Sequence, residues 1–296
     1  MTSTPPQLAA TALARSVRHD IQLPSVKCTY WHYPATQPSR GQIIFVHGYR
    51  GNHHGLEAII GAMPDFDIIA PDLPGFGIAD AFPGRHSVVA YATWLTELVA
   101  AVGNAETTIL AHSFGTIVTA AAANNGLANR LVLINPVSKF ERKGREKVLA
   151  GLTDLFYAFG GMLPEAVANR MLKNRVMVRV MSEVLAKTKN SQLRAWIHKQ
   201  HDENFSEFAE RRVATEGYTA STSRSVSSYA RGIENETLLI ASDLDDITAL
   251  TDQQRVLRMF PNANLKVIRG VGHLVHYETP TAAAEFARAF ILHEQD

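Results

Sequence analysis

Residues 107–118 read TTILAHSFGTIV. The first half is a short continuous apolar run, the pattern of a strand buried on both faces, and the second half opens a helix. Only Ala111-His112-Ser113-Phe114-Gly115 is left for the turn between them. A side chain presented on so sharp a strand-to-helix turn needs small residues two before and two after it, because the backbone is crowded and the central residue strained. Ala111 and Gly115 supply them around Ser113.

Similar strand-like runs lie on either side: IIFV (43–46), DIIAPD (67–72), RLVLIN (130–135), TLLIAS (237–242) and LKVIRG (265–270). Helical patterns separate them. SVVAYATWLTELVAAVG has Ser87 as its N-cap and Gly103 as its stop, FGTIVTAAAANNG ends at Asn125-Gly126, and TPTAAAEFARAFILHE carries Pro280 near its start. The alternation predicts an α/β chain with a mostly parallel sheet flanked by helices. VRHDIQL and VKCTYWHY, separated by Pro24-Ser25, predict an antiparallel hairpin leading into that sheet.

The alternation breaks once. Between Asn135 and Thr237 no buried strand is legible, but REKVLAGLTDLFYAFGG, PEAVANRMLKNRVMVRVMSEVLAKT and SQLRAWIHKQ read as helices. A structureless loop of that length is improbable in a compact domain, so the chain divides into a core at 1–137, a helical insertion at 138–232 and a second core part at 233–296. The run TASTSRSVSS reads only as low in complexity. Leu155, Phe156, Phe159, Met162, Met171, Met177, Met181 and Trp196 are apolar candidates for lining a pocket under the insertion or for packing its helices.

At 296 residues the chain can build one large core with such an insertion. Its 29 Lys+Arg nearly balance 28 Asp+Glu, for a net charge of +1. The balance is uneven: Lys139 to Arg231 holds 17 basic and 10 acidic residues, which read as a solvated helix surface, with no nucleic-acid role. One cysteine, Cys28, excludes an internal disulfide framework and a Cys-based zinc cluster. No run approaches about 18 apolar residues, so the expectation is a cytoplasmic protein with no integral membrane segment.

The turn at Ser113 resembles the nucleophile elbow of the α/β-hydrolase superfamily, whose usual pattern is Gly-x-Ser-x-Gly; Ala111 stands for the first glycine. The resemblance implies the α/β-hydrolase fold and a chain order of Ser, acid, His. LLIASDLDDIT resembles the family's strand followed by Gly-x-x-Asp and nominates Asp245 as the acid, with Asp243 and Asp246 as turn or capping alternatives. Asn135-Pro136 occupies the superfamily's alternative acid position, where Asn has no charge to give. IRGVGHLVHYETP resembles the family's Gly-His-x-x-x-x-Glu-x-Pro segment and nominates His273 as the base. Within it, His276 is read as packing or facing solvent, and Glu278 as complementing a helix start.

In VHGYRGNHHG, His47-Gly48 resembles the oxyanion-loop motif, which implies that the N–H groups of Tyr49 and Phe114 hold an oxyanion, with His47 structural. Arg50 is read as exposed, either solvated or meeting an anionic substrate. PDLPGFG, residues 71–77, matches the family's next loop and supplies turn geometry. His53-His54 invites a metal reading, set aside because neighbours in sequence point apart and no carboxylate sits at a ligand-like offset.

His47, Ser113, Asp245 and His273 all fall just beyond the carboxyl ends of expected parallel strands, where open α/β sheets bind ligands. The resemblance spans residues 17–137 and 233–296 and matches the insertion by position only, as a helical cap. It implies a serine hydrolase acting through an acyl-enzyme on a carboxylic ester or related small acyl substrate, with no cofactor and no metal. Carbon-carbon bond hydrolysis stays open, although the Trp those enzymes carry shortly after the histidine is missing. Peptidase, thioesterase, lactonase and acyltransferase activities, a non-catalytic ligand-binding role and a homodimer also stay open. The serine argues against haloalkane dehalogenases and epoxide hydrolases, which use Asp there.

Overall fold

The computed structural model describes residues 3–138 and 144–294. Its strands are β1 (Val17–Gln22), β2 (Lys27–Tyr33), β3 (Gln42–Val46), β4 (Asp67–Pro71), β5 (Thr108–His112), β6 (Leu131–Ile134), β7 (Thr237–Ser242) and β8 (Ala263–Ile268). They form one sheet in the order β1-β2-β4-β3-β5-β6-β7-β8. The hairpin β1-β2 joins through an antiparallel pairing of β2 with β4, and every other pairing is parallel. The α/β-hydrolase expectation of a mostly parallel sheet holds.

Helices α1 (Pro5–Leu13), α2 (Glu57–Gly61), α3 (Val88–Val102) and α4 (Phe114–Asn124) belong to the first part of the core. Between β6 and β7 come α5 (Gly144–Met162), α6 (Glu165–Leu172), α7 (Arg175–Leu185), α8 (Ser191–Asn204) and α9 (Arg211–Ser223). The chain ends with α10 (Leu250–Leu257), α11 (Val275–Glu278) and α12 (Pro280–Ile291).

Successive residues of a strand point to opposite faces, so an unbroken apolar strand feeds two cores. Ile43 and Phe45 join Leu110, Val132 and Ile240 beneath α2 and α12, while Ile44 and Val46 join Ile109, Leu133 and Leu239 beneath α3 and α4. Fully burying such a side chain is worth about 1.5–3 kcal/mol, and a polar substitution on either face forfeits it. Ser87 caps α3 by accepting the Ala90 N–H at 3.2 Å, and Gly103 ends that helix.

Several details depart from the sequence reading. The stretch 164–188 is two helices, because the Asn174 side chain accepts the N–H groups of Val176 and Met177 and starts α7 anew. The run TASTSRSVSS is ordered: Thr219 to Ser223 complete α9 and Val226–Ser228 form a 3-10 turn. The helices α1 and α10 were not anticipated, although the box at Thr4 and Gln7, with Thr4 N–H donating to Gln7 Oε1 at 2.8 Å, marks the start of α1. Among the described residues no helix is long and apolar enough to cross a membrane.

The strand order places β4 on one side of β3 and β5 on the other. Chain direction across the sheet therefore reverses at β3, and the loops leaving β3 and β5 diverge to open a crevice at their carboxyl ends. Val46 is paired with Ala111 in register, so His47-Gly48-Tyr49 and Ser113 emerge side by side.

Helix α1 lies directly on α2. A Cβ built at Gly61 would sit 2.0 Å from the Leu8 carbonyl oxygen, backbone against backbone. Gly61→Ala should therefore push α1 off the core, destabilise the protein by about 1–3 kcal/mol and expose the N-terminal segment to limited proteolysis. An unchanged melting temperature and cleavage pattern would contradict this packing.

Candidate active site

Ser113 sits between β5 and α4 at φ 54°, ψ −120°, a region that non-glycine residues avoid at a cost of about 1–3 kcal/mol. The strain is held from both sides. The Ser113 N–H donates to the Ile134 carbonyl at 3.1 Å, and Thr116 Oγ1 donates to the Ser113 carbonyl at 2.6 Å. Gly115 is required: a Cβ there would lie 2.5 Å from the Val46 carbonyl oxygen and 2.7 Å from that of His47.

The structure brings Ser113, His273 and Asp245 together. His273 Nε2 lies 2.8 Å from Ser113 Oγ, and His273 Nδ1 lies 2.8 Å from Asp245 Oδ2. With the carboxylate as acceptor, the partners assign the Nδ1–H tautomer and leave the Nε2 lone pair facing the Ser113 hydroxyl. The other oxygen of Asp245 accepts the N–H groups of Ile247 at 2.7 Å and Thr248 at 3.3 Å, which fixes the carboxylate. The two alternatives serve elsewhere: Asp243 accepts the Gly270 N–H at 2.7 Å, and Asp246 pairs with Lys187.

The loop carrying His273 is clamped by groups the sequence reading had not assigned to it. Asn135 Nδ2 reaches the carbonyls of His273 at 3.1 Å and Gly272 at 3.3 Å, and His112 Nε2 donates to the His273 carbonyl at 3.1 Å. Ser242 Oγ lies 2.8 Å from Asn135 Oδ1 and 2.7 Å from the Gly272 carbonyl. Asn135, set aside as an uncharged stand-in for an acid, thus holds the backbone on either side of the His273 ring. Its φ of 44° was a signal only a structure could give. His276 is buried with its ring 4.2 Å from that of His112, so it packs rather than facing solvent.

Across the crevice, the loop after β3 runs against Ser113. A Cβ on Gly48 would lie 3.0 Å from Ser113 Cβ, so any larger residue there would press on the Ser113 side chain. His47 holds the loop: its Nε2 accepts the Leu73 N–H at 2.8 Å and its Nδ1 donates to the Gly48 carbonyl at 2.8 Å. Burial lowers the His47 pKa to about 4, keeping the ring neutral as that bonding requires. Tyr49 follows, and Phe114 contributes the first N–H of α4, which has no partner inside its own helix.

Arg50 overturns its reading as an exposed charge, being only 1% exposed. Its Nε donates to the Phe205 carbonyl at 3.1 Å, Nη1 to Tyr157 Oη at 3.1 Å, and Nη2 to the Leu172 carbonyl at 2.8 Å and Ser206 Oγ at 3.3 Å. A left-handed backbone at φ 62° turns the side chain away from water and into the helical insertion. The Tyr49 hydroxyl likewise donates to the Ala214 carbonyl on α9 at 2.6 Å. Glu278 lies in the single turn of α11, just before the N-cap of α12, and its carboxylate accepts the N–H groups of Lys187 at 2.6 Å and Thr188 at 3.2 Å.

Of the insertion's apolar residues, Leu155, Phe159 and Met162 are 66%, 53% and 82% exposed and face outward, so they line no enclosed pocket. Trp196 packs edge-on against Tyr277, with ring centroids 5.4 Å apart. His53 and His54 do not point apart; their ring centroids are 3.9 Å from each other, beside Glu57.

Burial, reinforced by the neighbouring His273, pushes the pKa of His112 from 6.5 to about 3. Between those values the unfolded chain binds a proton that the folded protein refuses. The stabilising contribution of His112 is therefore complete above pH 6.5 and is lost as pH falls toward 3. His112→Asn should flatten the decline of melting temperature between pH 7 and pH 4; an acid limb as steep as that of the wild type would refute the assignment.

A family model described as "Alpha/beta hydrolase family" matches residues 43–288. No curated protein matches the sequence. Among solved structures, an esterase from Exiguobacterium antarcticum superposes with a TM-score of 0.75 at 14% identity, covering 93% of this chain and 99% of that one. E-2-(acetamidomethylene)succinate hydrolase gives 0.71 at 15% identity over 93% and 99% of the two chains, and the epoxide hydrolase CorEH gives 0.70 at 17% over 95% and 100%. Similarity at this level carries the fold, and the family match carries the rest: the chain belongs to the alpha/beta hydrolase family.

Proposed function

We propose that the protein is a serine hydrolase that cleaves a carboxylic ester or closely related small acyl compound through an acyl-enzyme. The observation that carries this reading is the pair of 2.8 Å contacts linking Ser113 Oγ to His273 and His273 to Asp245. A serine hydroxyl is a weak nucleophile at its own pKa and becomes competent when a neutral imidazole takes its proton.

In this reading His273 Nε2 accepts the Ser113 proton as Oγ bonds to the carbonyl carbon. The oxygen that gains charge is received by the N–H groups of Tyr49 and Phe114, donors already in place before the reaction begins. Collapse of the tetrahedral adduct breaks the bond to the leaving oxygen, which departs with the proton from His273. Water then attacks the acyl-enzyme with His273 again as base, releasing the acid and restoring Ser113. Asp245 keeps Nδ1 protonated and the ring aligned, and favours the imidazolium that forms twice per turnover. The helical insertion acts as a cap that excludes water and selects the acyl group. An aspartate-nucleophile mechanism of the kind used by epoxide hydrolases finds no carboxylate at position 113.

Ser113→Ala should lower kcat/KM for short acyl esters by at least about 10³-fold with the fold intact, and should abolish covalent labelling by a fluorophosphonate seen in the intact mass. Turnover or labelling equal to wild type would exclude Ser113 as the nucleophile. Asp245→Asn, which favours the wrong histidine tautomer, should cost roughly 10³–10⁴-fold in kcat, whereas Asp243→Asn should cost less than about tenfold. The reverse order in steady-state assays would move the acid to Asp243.

A further inference from the structure

We propose that His53, His54 and Glu57 form a binding site for one divalent transition-metal ion of the zinc class, at the start of α2 and separate from the Ser113 crevice. One ligand atom from each of the three lies within 4.8 Å of the other two. The site shares no residue with the Ser113–His273–Asp245 chain.

His53 is prepared as a ligand. Asp72 Oδ1 accepts both its Nδ1–H at 2.8 Å and its backbone N–H at 2.9 Å, which fixes the tautomer with the lone pair on Nε2. A carboxylate behind an imidazole is the usual way a metal-binding histidine is oriented and made more basic. The ring is further fixed by Trp31, stacked at 3.3 Å between centroids. Its Nε2 is buried and has no hydrogen-bond partner among the described residues. Burying such an atom unpaired is costly, and a cation would relieve the cost.

Glu57 supplies the charge. Its side chain is 5% exposed, and Oε1 meets His54 Nδ1 at 3.0 Å and the Tyr33 hydroxyl only at 3.4 Å. The 3.0 Å separation need open only to about 3.3–3.4 Å for both atoms to be ligands on one tetrahedral ion with bonds of about 2.0–2.1 Å. An incoming ion would replace the proton shared by His54 and Glu57, whose side chains turn toward the fixed His53 Nε2, with water completing the shell. Two imidazoles and one carboxylate select zinc, cobalt or nickel over calcium and magnesium, which prefer oxygen ligands throughout. The ion would pin the start of α2 to the loop after β4 that carries Asp72.

The test uses tag-free, chelator-stripped full-length protein titrated with Co²⁺, whose visible absorption reports a low-coordinate nitrogen and oxygen site. Wild type should take up one ion per chain, lose the signal to Zn²⁺ and melt several degrees higher with metal bound. His54→Ala, at a residue 34% exposed by its side chain, and the isosteric Glu57→Gln should each weaken Co²⁺ binding by about 100-fold or more. His32→Ala should leave binding unchanged, although half-buried His32 lies 3.4 Å from Asp67 and offers another imidazole beside a carboxylate. Absence of visible bands in wild type, retention of binding in both site variants, or loss of binding in His32→Ala would overturn the proposal.

Discussion

The backbone of Ser113 is bent into a conformation that no L-residue favours, and much of the crevice's geometry follows from holding it there. The bend works because β5 ends in register with β3 and because α4 starts so close to β3 that position 115 has no room for a side chain. Parallel strands buried on both faces supply the rigidity: neither β3 nor β5 can shift without displacing apolar side chains in two cores at once. A strained turn persists only when its surroundings over-determine it, and here two hydrogen bonds and two close carbonyls do so.

Much of this could be read from the sequence, for an identifiable reason. Buried parallel strands are written as local apolar runs, and the turn chemistry around them is local too, so the strands, Ser113 and the candidates Asp245 and His273 are all recoverable from short windows. What escaped reading depends on contacts distant in sequence. Arg50 looks like an ordinary surface charge until the insertion, more than a hundred residues later, supplies the oxygens that surround it. Asn135 looks like a missing acid until its amide is seen on the carbonyls of residues 272 and 273. The pairing of His53 and His54 with Glu57 failed for a different reason, because the rule that neighbours diverge assumes a regular helix or strand, and residues 53–56 form a 3-10 turn.

The histidines show how one residue type takes different parts according to its partners. His47 is neutral because it must accept from one backbone group and donate to another. His112 is neutral because burial and a histidine neighbour both oppose charge. His273 has a carboxylate on one nitrogen and, on the other, the hydroxyl of the strained Ser113, an arrangement that lets a proton move between them.

The clamp formed by Arg50 has a consequence for how such proteins diversify. Its guanidinium is satisfied by residues 157, 172, 205 and 206, which belong to separate parts of the insertion, while its backbone adjoins Tyr49 in the loop facing Ser113. The insertion is therefore not a freely exchangeable cassette. A foreign helical segment grafted between β6 and β7 would leave a buried cation without acceptors one residue from the crevice, so a change of insertion and a change at position 50 must be inherited together.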